Sequence, residues 1–493
     1  MKTLSRVCVF FMLIISTPCI LALKVGVLPL VAGSHTLSMD AITRQILQRG
    51  HQAITIISNE DRYLKRLMPS PLALYEVDEP LSEMDSQKML TSKIRLQILL
   101  NFYEIQNRYC DATLSNKTLL QSIQDVDIII TDNLYVCSIL LPELLNKPSI
   151  IMSFSAGIAG MHTFLGEYEP TTYIPIHGSM ISSQKMTFKQ RAINVIQGKI
   201  MYAAMNYISE SAINKLRLKH NISMHLTLDQ LRRKFSLHLS SIDFSIEYTR
   251  PLPPYIHVVG PVTPRPPSSL PPIFENIVQN SKNQSIIVLS FGSELQLSNE
   301  KLPEMVTALR QLPYTIIWKT KQNIQNIPSN VKIMEWIPQN DLLGCNKTIA
   351  LITHCGCNSL YEAAYHGVPM IGMPAMIEQM GNAARMVHAG IGIHVDFHSF
   401  EAADMINAVT ELVGNSRYKE NVAKVAKIIK SNGRSPADAI VDWIEYVIQT
   451  DGAHHLKVEG ESLYFYQFYN LDILLVIIIF IIILYRTIKF YKN

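Results

Sequence analysis

Residues 336–384 read WIPQNDLLGCNKTIALITHCGCNSLYEAAYHGVPMIGMPAMIEQMGNAA. The short apolar run 349–353 suits a strand buried on both faces of a parallel sheet. His354-Cys355-Gly356-Cys357-Asn358-Ser359 follows at once, a turn of small and polar residues. From Asn358 the spacing becomes helical, with Leu360, Ala363 and Ala364 placed for one buried face. A strand, a tight turn and a helix N-terminus together make an anion site, because free backbone N–H groups and the helix dipole both favour a phosphate there. Asn358 and Glu362 stand four apart and share the helix face beside that site. A second apolar strand, 370–373, ends at Pro374, and Glu378-Gln379 is expected in the loop beyond it, where a polar ligand can be read.

The stretch resembles the signature of the UDP-glycosyltransferase family, and animal UDP-glucuronosyltransferases within it. The residues that carry the resemblance are Trp336, Pro338, Gln339, Thr353-His354, Gly356, Asn358-Ser359, Glu362, Gly367-Val368-Pro369-Met370, Pro374, Glu378-Gln379 and Asn382-Ala383. The resemblance implies roles for them. Trp336 would stack on uracil, and Gln339 and Glu362 would hold the ribose. His354, Asn358 and Ser359 would hold the diphosphate, with Gly356 in the same turn, and Glu378 and Gln379 would bind the donor sugar. One position departs from the pattern: the family has Gly-Gly after the histidine, and here it is Cys355-Gly356. If position 355 requires a positive φ, its side chain costs roughly 1–2 kcal/mol. His354-Cys355-x-Cys357 lacks the usual zinc spacing and has no second ligand pair nearby, so no metal is expected.

The 493 residues are enough for two or three domains. The composition, 48% apolar and 17% charged, is that of a globular protein. A formal net charge of +4 gives no case for a nucleic-acid partner. Residues 1–22 read as a secretory signal peptide, with Lys2 and Arg6 ahead of an apolar run and Ala22 at the cleavage position. Four sequons begin at Asn116, Asn221, Asn283 and Asn346, which fits a lumenal chain. Five cysteines remain beyond the leader, an odd number, so at least one thiol is unpaired within the chain.

Strands are expected at 24–28, 53–57, 126–131 and 149–152, and helices at 38–49 and 84–109. His35 follows the first of these strands and Asp132 follows the third, both at strand ends where open α/β sheets bind ligands. A histidine base needs a carboxylate to fix its tautomer and to stabilise the imidazolium. The family has the same pair: its Gly-Ser-His loop matches Gly33-Ser34-His35, and its aspartate after an apolar strand matches Asp132. Residues 250–272 hold nine prolines in 23 positions and read as an extended connector. The family's Arg-Pro segment there makes Arg250 a candidate contact for a donor carboxylate, against a surface salt bridge as the alternative. The second half repeats the rhythm, with strands at 286–289, 315–318 and 331–334 and a helix at 302–312. Ser290 ends the first of these strands, and Phe291-Gly292-Ser293 matches the family's Phe-Gly-Ser turn, whose small residues admit the diphosphate.

Twelve unbroken apolar residues fill 473–484, and 471–488 spans about 27 Å, enough for a thin bilayer. Aromatic residues 464–469 precede it, and Arg486, Lys489 and Lys492 follow, as the positive-inside rule asks of a cytosolic tail.

These readings imply two Rossmann-like α/β domains facing a cleft, the GT-B arrangement, plus a C-terminal transmembrane helix. The expected division is a leader 1–22, an acceptor domain 23–250, a linker 251–272, a donor domain 273–450, a juxtamembrane segment 451–470, a membrane helix 471–488 and a tail 489–493. The expected function is inverting transfer of a sugar, glucuronic acid first, from a UDP-sugar to a small lipophilic acceptor, with UDP-glucose, UDP-galactose or a non-catalytic sugar-nucleotide-binding role as alternatives. No cofactor is expected. The expected partners are the UDP-sugar, the acceptor and the endoplasmic-reticulum membrane, with the catalytic domains lumenal; a homo-oligomer stays open.

Overall fold

Two parallel sheets carry the chain. The computed structural model describes residues 22–31, 35–61, 63–64, 67, 71–82, 95–154, 170–176, 179, 181, 183–282, 285–292 and 295–492. The leader up to residue 21, Gly33-Ser34, the start of the expected helix 84–109, Asn283 and Ser293 lie outside the described residues.

The first sheet is built from β1 (Lys24–Leu28), β2 (Gln52–Ser58), β3 (Leu72–Tyr75), β4 (Ile128–Asp132), β5 (Ser149–Ser153), β6 (Leu237–Ser240) and β7 (Ile256–Val258), in the order β3-β2-β1-β4-β5-β6-β7. The second is built from β8 (Ile286–Ser290), β9 (Thr315–Lys319), β10 (Val331–Met334), β11 (Thr348–Thr353), β12 (Met370–Gly372) and β13 (Gly392–His394), in the order β10-β9-β8-β11-β12-β13. Every pairing is parallel. The strands β1, β4, β5, β8 and β11 are runs of Val, Ile and Leu because both of their faces are covered by helices. Strand order reverses between β1 and β4 in one sheet and between β8 and β11 in the other, the two places where such sheets open a crevice at their carboxyl ends.

Several expected boundaries move. Helix α1 runs His35–Gln48, so His35 opens the helix rather than sitting in the loop before it. Glu378 and Gln379 lie in the first turn of a helix, Ile377–His388, not in a loop. Part of the proline-rich connector is a strand: β7 pairs with β6 at the sheet edge, where prolines on either side cost no ladder hydrogen bond.

The helix Pro436–Gln449, expected within the second domain, packs on the first sheet. Its Ile440, Val441, Ile444 and Val447 bury against Met39, Ile42 and Ile46 of α1. Arg49 bonds Asp442 at 3.0 Å and Glu445 at 2.7 Å alongside.

Cys110 and Cys137 form a buried disulfide, and Cys345, Cys355 and Cys357 are free. The C-terminal helix Leu471–Lys492 has 22 residues and a mean hydropathy of 2.7, long and apolar enough to cross a membrane, and none of its window is buried. It extends four residues beyond the expected end and takes in Lys489 and Lys492.

Candidate active site

The first switch point pairs an imidazole with a carboxylate. Asp132 closes β4 and is fully buried, and its Oδ1 accepts the Leu134 N–H at 2.9 Å. His35 follows β1, the neighbouring strand, and its Nδ1 lies 2.7 Å from Asp132 Oδ2. A carboxylate only accepts, so Nδ1–H donates and Nε2 is left with its lone pair. Burial lowers the His35 pKa, but the charge and hydrogen bond of Asp132, helped by Glu378, outweigh it and the net shift is upward. An imidazole held in that tautomer beside a fixed anion is equipped to take a proton at Nε2.

The second switch point is built around His354. Its ring lies between two glycines: a Cβ on Gly356 would stand 2.7 Å from Nε2, and one on Gly292 would stand 2.9 Å from Cε1 and Nε2. Gly292 has φ +79°, a conformation that glycine adopts at no steric cost. Burial and the nearby Lys319 charge push the His354 pKa down to about 4, against a hydrogen bond with the Ser290 backbone, so the ring is neutral at pH 7. His354 Nδ1 and Ser290 Oγ are buried without a hydrogen-bond partner among the described residues. Buried polar atoms are rarely left unpaired, so both are poised for a ligand in the cleft that they line. Beside them the helix α2 (Cys357–His366) opens toward the cleft with no acidic residue in its first turn, as an anion requires.

Cys355 has φ +63° and is fully buried, so the turn does need the left-handed region that the family fills with glycine. Its Sγ lies over Gly372 of β12, where an added Cβ would stand only 2.4 Å away. Asn382 Nδ2 donates to the Cys355 carbonyl at 2.8 Å and holds the turn. Burial pushes this thiol up to about 12, so it is not a thiolate at neutral pH.

The sheets face each other across a cleft of about 590 Å³. Its lining brings together Ser290, Gly292, Trp336, Gln339, His354, Gly356, Asn358, Ser359, Glu362 and Gln379 from the second half of the chain. Trp336 is 47% exposed, a large indole left open to the cleft rather than a core aromatic. Gln339 Nε2 donates to Glu362 Oε2 at 2.7 Å and to Ser359 Oγ at 3.0 Å. Burial raises the Glu362 pKa to about 7 despite the Gln339 hydrogen bond. Gln379 Oε1 accepts from the Ala375 and Met376 N–H groups at 3.0 and 3.1 Å, which fixes that side chain in the first turn of its helix. Glu378 lies within electrostatic reach of His35. Arg250 does not line this cleft: its Nε donates to the Tyr248 carbonyl at 3.4 Å, and the Tyr248 ring packs on His388 at the far end of the Ile377–His388 helix. Ten residues separate His388 from Glu378, about 15 Å of helix.

Sequence reasoning missed three groups. Lys319 sits at the carboxyl end of β9, in the cleft wall, and strand-end position was the available signal. Ser38 of α1 reaches across to Asn358: Nδ2 of the asparagine donates to Ser38 Oγ at 3.2 Å, and Thr263 Oγ1 lies 3.5 Å from Asn358 Oδ1. Behind the site, Arg385 and Glu247 form an ion pair at 2.9 Å, only 3% and 1% exposed, and Arg385 also bonds Asn382. No local spacing links residues 247 and 385.

The comparisons with known proteins agree with this geometry. A family model described as UDP-glucoronosyl and UDP-glucosyl transferase matches residues 24–493. The chain is 30% identical over 465 residues to human UDP-glucuronosyltransferase 2B7, covering 90% of this chain and 87% of that one. It is likewise 30% identical over 464 residues to UDP-glucuronosyltransferase 2B33 of Macaca mulatta, with the same coverage. Among solved structures, the spinosyn forosaminyltransferase SpnP matches with a TM-score of 0.61 at 17% identity, covering 87% of this chain and 100% of that one. A UDP-glucosyltransferase from Polygonum tinctorium matches with a TM-score of 0.61 at 16% identity, covering 87% of this chain and 99% of that one. The chain has the GT-B fold and belongs to the UDP-glucuronosyl and UDP-glucosyl transferase family, as a glycosyltransferase of the UDP-glucuronosyltransferase type.

Proposed function

We propose that this protein transfers glucuronic acid from UDP-glucuronate to a hydroxyl of a small lipophilic acceptor, with inversion at the anomeric carbon. The observation that carries the reading is the His35–Asp132 pair at 2.7 Å, at the start of the helix whose Ser38 bonds Asn358 in the turn after His354. His35 Nε2 takes the acceptor proton while Asp132 orients the ring and balances the imidazolium. The acceptor oxygen attacks C1, the bond from C1 to the diphosphate oxygen breaks, and UDP leaves with the electron pair. Negative charge grows on the diphosphate during this step. The Ser290 hydroxyl and the first turn of α2, beside His354, are preorganised donors for that charge. Trp336 stacks on uracil, Gln339 and Glu362 hold the ribose, and Glu378 and Gln379 hold the sugar hydroxyls. The UDP-sugar is a co-substrate, and the scheme needs no further cofactor.

The choice of glucuronate rests on the named relatives, which are UDP-glucuronosyltransferases. UDP-glucose is the second reading, because Arg250 lies outside the cleft lining and Glu378 can accept hydrogen bonds from hydroxyls common to both sugars. We further propose an endoplasmic-reticulum location, with Leu471–Lys492 as the single membrane span, residues 1–22 as a removed leader and both sheets in the lumen.

The test is UDP release by microsomes carrying the full chain, with UDP-glucuronate, UDP-glucose and UDP-galactose offered in parallel. UDP-glucuronate should turn over fastest, and His35→Ala should cut turnover by about 10²–10⁴ while UDP still binds. Faster turnover of UDP-glucose reverses the donor assignment, and near-normal turnover in His35→Ala removes the histidine from the mechanism.

A further inference from the structure

Helix α1 carries more than His35. Leu37 and Arg44, seven residues apart and so on one face of the helix, both line the cleft. Ser38 of the same helix meets Asn358 at the start of α2. The helix of the first sheet thus forms one wall of the cleft, directly opposite the anion-favouring turn of the second.

Arg44 is held in place on that wall. Its Nε donates to Asp40 Oδ2 at 2.8 Å, and its Nη2 donates to the same oxygen. Asp40 is 4% exposed at its side chain and Arg44 46%, so a buried carboxylate anchors a guanidinium that faces the cleft. Six residues from Ser38 to Arg44 rise about 9 Å, but the bond back to Asp40 returns the guanidinium to within about one turn of the Ser38–Asn358 contact. Asp40 uses Nε and Nη2, and Nη1 has no hydrogen bond among the described residues. The other cleft arginine, Arg265, pairs with Asp341 at 2.9 Å.

We propose that Arg44 is a donor-binding residue contributed by the first domain, whose free Nη1 edge pairs with the diphosphate of the bound nucleotide sugar across the cleft from the α2 N-terminus. The proposal rests on the cleft being a UDP-sugar site. A guanidinium already fixed by a carboxylate loses little freedom when it binds a phosphate, and the bond it makes is charge-assisted. The diphosphate gains charge as the sugar leaves, so the contact strengthens toward the transition state.

The experiment compares UDP with uridine on the detergent-solubilised full chain by titration calorimetry. The variants are Arg44→Gln, Arg44→Lys, and Asp40→Asn combined with Arg44→Gln, which also removes the carboxylate charge that Arg44 meets. Arg44→Gln should weaken UDP binding about 10-fold or more and leave uridine binding unchanged, with Arg44→Lys between it and the wild type. The double variant should match Arg44→Gln. Unchanged UDP affinity, or equal loss for UDP and uridine, overturns the proposal. Recovery of UDP affinity in the double variant also overturns it, because the single variant's defect would then come from the Asp40 carboxylate that lost Arg44. If the wild-type chain binds neither ligand, the UDP-sugar reading of the cleft fails, and this proposal fails with it.

Discussion

Replacing Gly356 by alanine isolates one packing relation in the site. Gly356 has φ −61° and ψ 142°, which any L-residue adopts, so the substitution imposes no backbone strain. Its cost comes from the new methyl, which would stand 2.7 Å from His354 Nε2 and 2.9 Å from Cε1. Carbon contacts are most favourable near 3.5–4.0 Å, so the ring must move by roughly 1 Å. A Cβ at Gly292 would meet the same Cε1 and Nε2 atoms at 2.9 Å, so that edge of the ring is already tight. Overpacking of this kind costs about 1–3 kcal/mol, and the lower chain entropy of alanine in the unfolded state returns about 0.4–1 kcal/mol. The net destabilisation is about 1–2 kcal/mol. A ring displaced by that distance shifts the turn that lines the diphosphate site, and loss of a charge-assisted bond there weakens UDP binding by roughly 10-fold to 150-fold. Thermal melting and UDP titration measure the two effects. His354→Ala removes the clash, so a double-mutant cycle should return a coupling of about 0.5–3 kcal/mol in stability. Wild-type stability and UDP affinity in Gly356→Ala, or strict additivity in the cycle, would refute the packing of the ring between the two glycines.

The His35–Asp132 pair makes a pH-dependent prediction. A general base works only when neutral, and the His35 pKa is shifted up from 6.5, so kcat/KM should rise with pH through a midpoint above 6.5 and then level off. In Asp132→Asn the burial that lowers the pKa remains while the main raising cause is gone, so the midpoint should move down and the plateau should fall by about 10²–10⁴; an unmoved midpoint would assign the titration to another group. Cys355→Gly relieves roughly 1–2 kcal/mol of left-handed strain but empties the space that Sγ fills over Gly372 and loosens the unfolded chain. These terms nearly cancel, so chemical denaturation should find a change within about 1 kcal/mol, in place of the modest gain that strain alone would give. A loss above about 3 kcal/mol would mean that the thiol is a packing requirement rather than a tolerated occupant.

The sequence by itself determined the elements and the two ends of the donor site. Strands β1, β8, β9 and β11 are readable because both of their faces are largely buried, which makes each a mostly apolar run. The turn at His354 is readable because strand, small residues and helix start must be contiguous to present free N–H groups to an anion. Even the cost at Cys355 was legible as a condition on φ, since a side chain stands where a glycine is expected.

Other features were decided only by the tertiary structure. Strand β7 hides among prolines because an edge strand tolerates them, so composition pointed to a linker. The helix Pro436–Gln449 returns to the first sheet because its apolar face finds α1 there, a contact across almost 400 residues that no local pattern encodes. The Glu247–Arg385 pair, the Ser38–Asn358 contact and the presence of Arg44 in the donor cleft share that cause: each joins residues that meet only when two separately folded sheets face one another. The surroundings of Arg250 are set the same way: its Nε bonds the Tyr248 carbonyl, and the Tyr248 ring packs on His388 of a helix from the other half of the chain. Local periodicity reports what a segment buries, whereas a site between two domains depends on which segments are brought opposite each other, and that is settled by long-range packing.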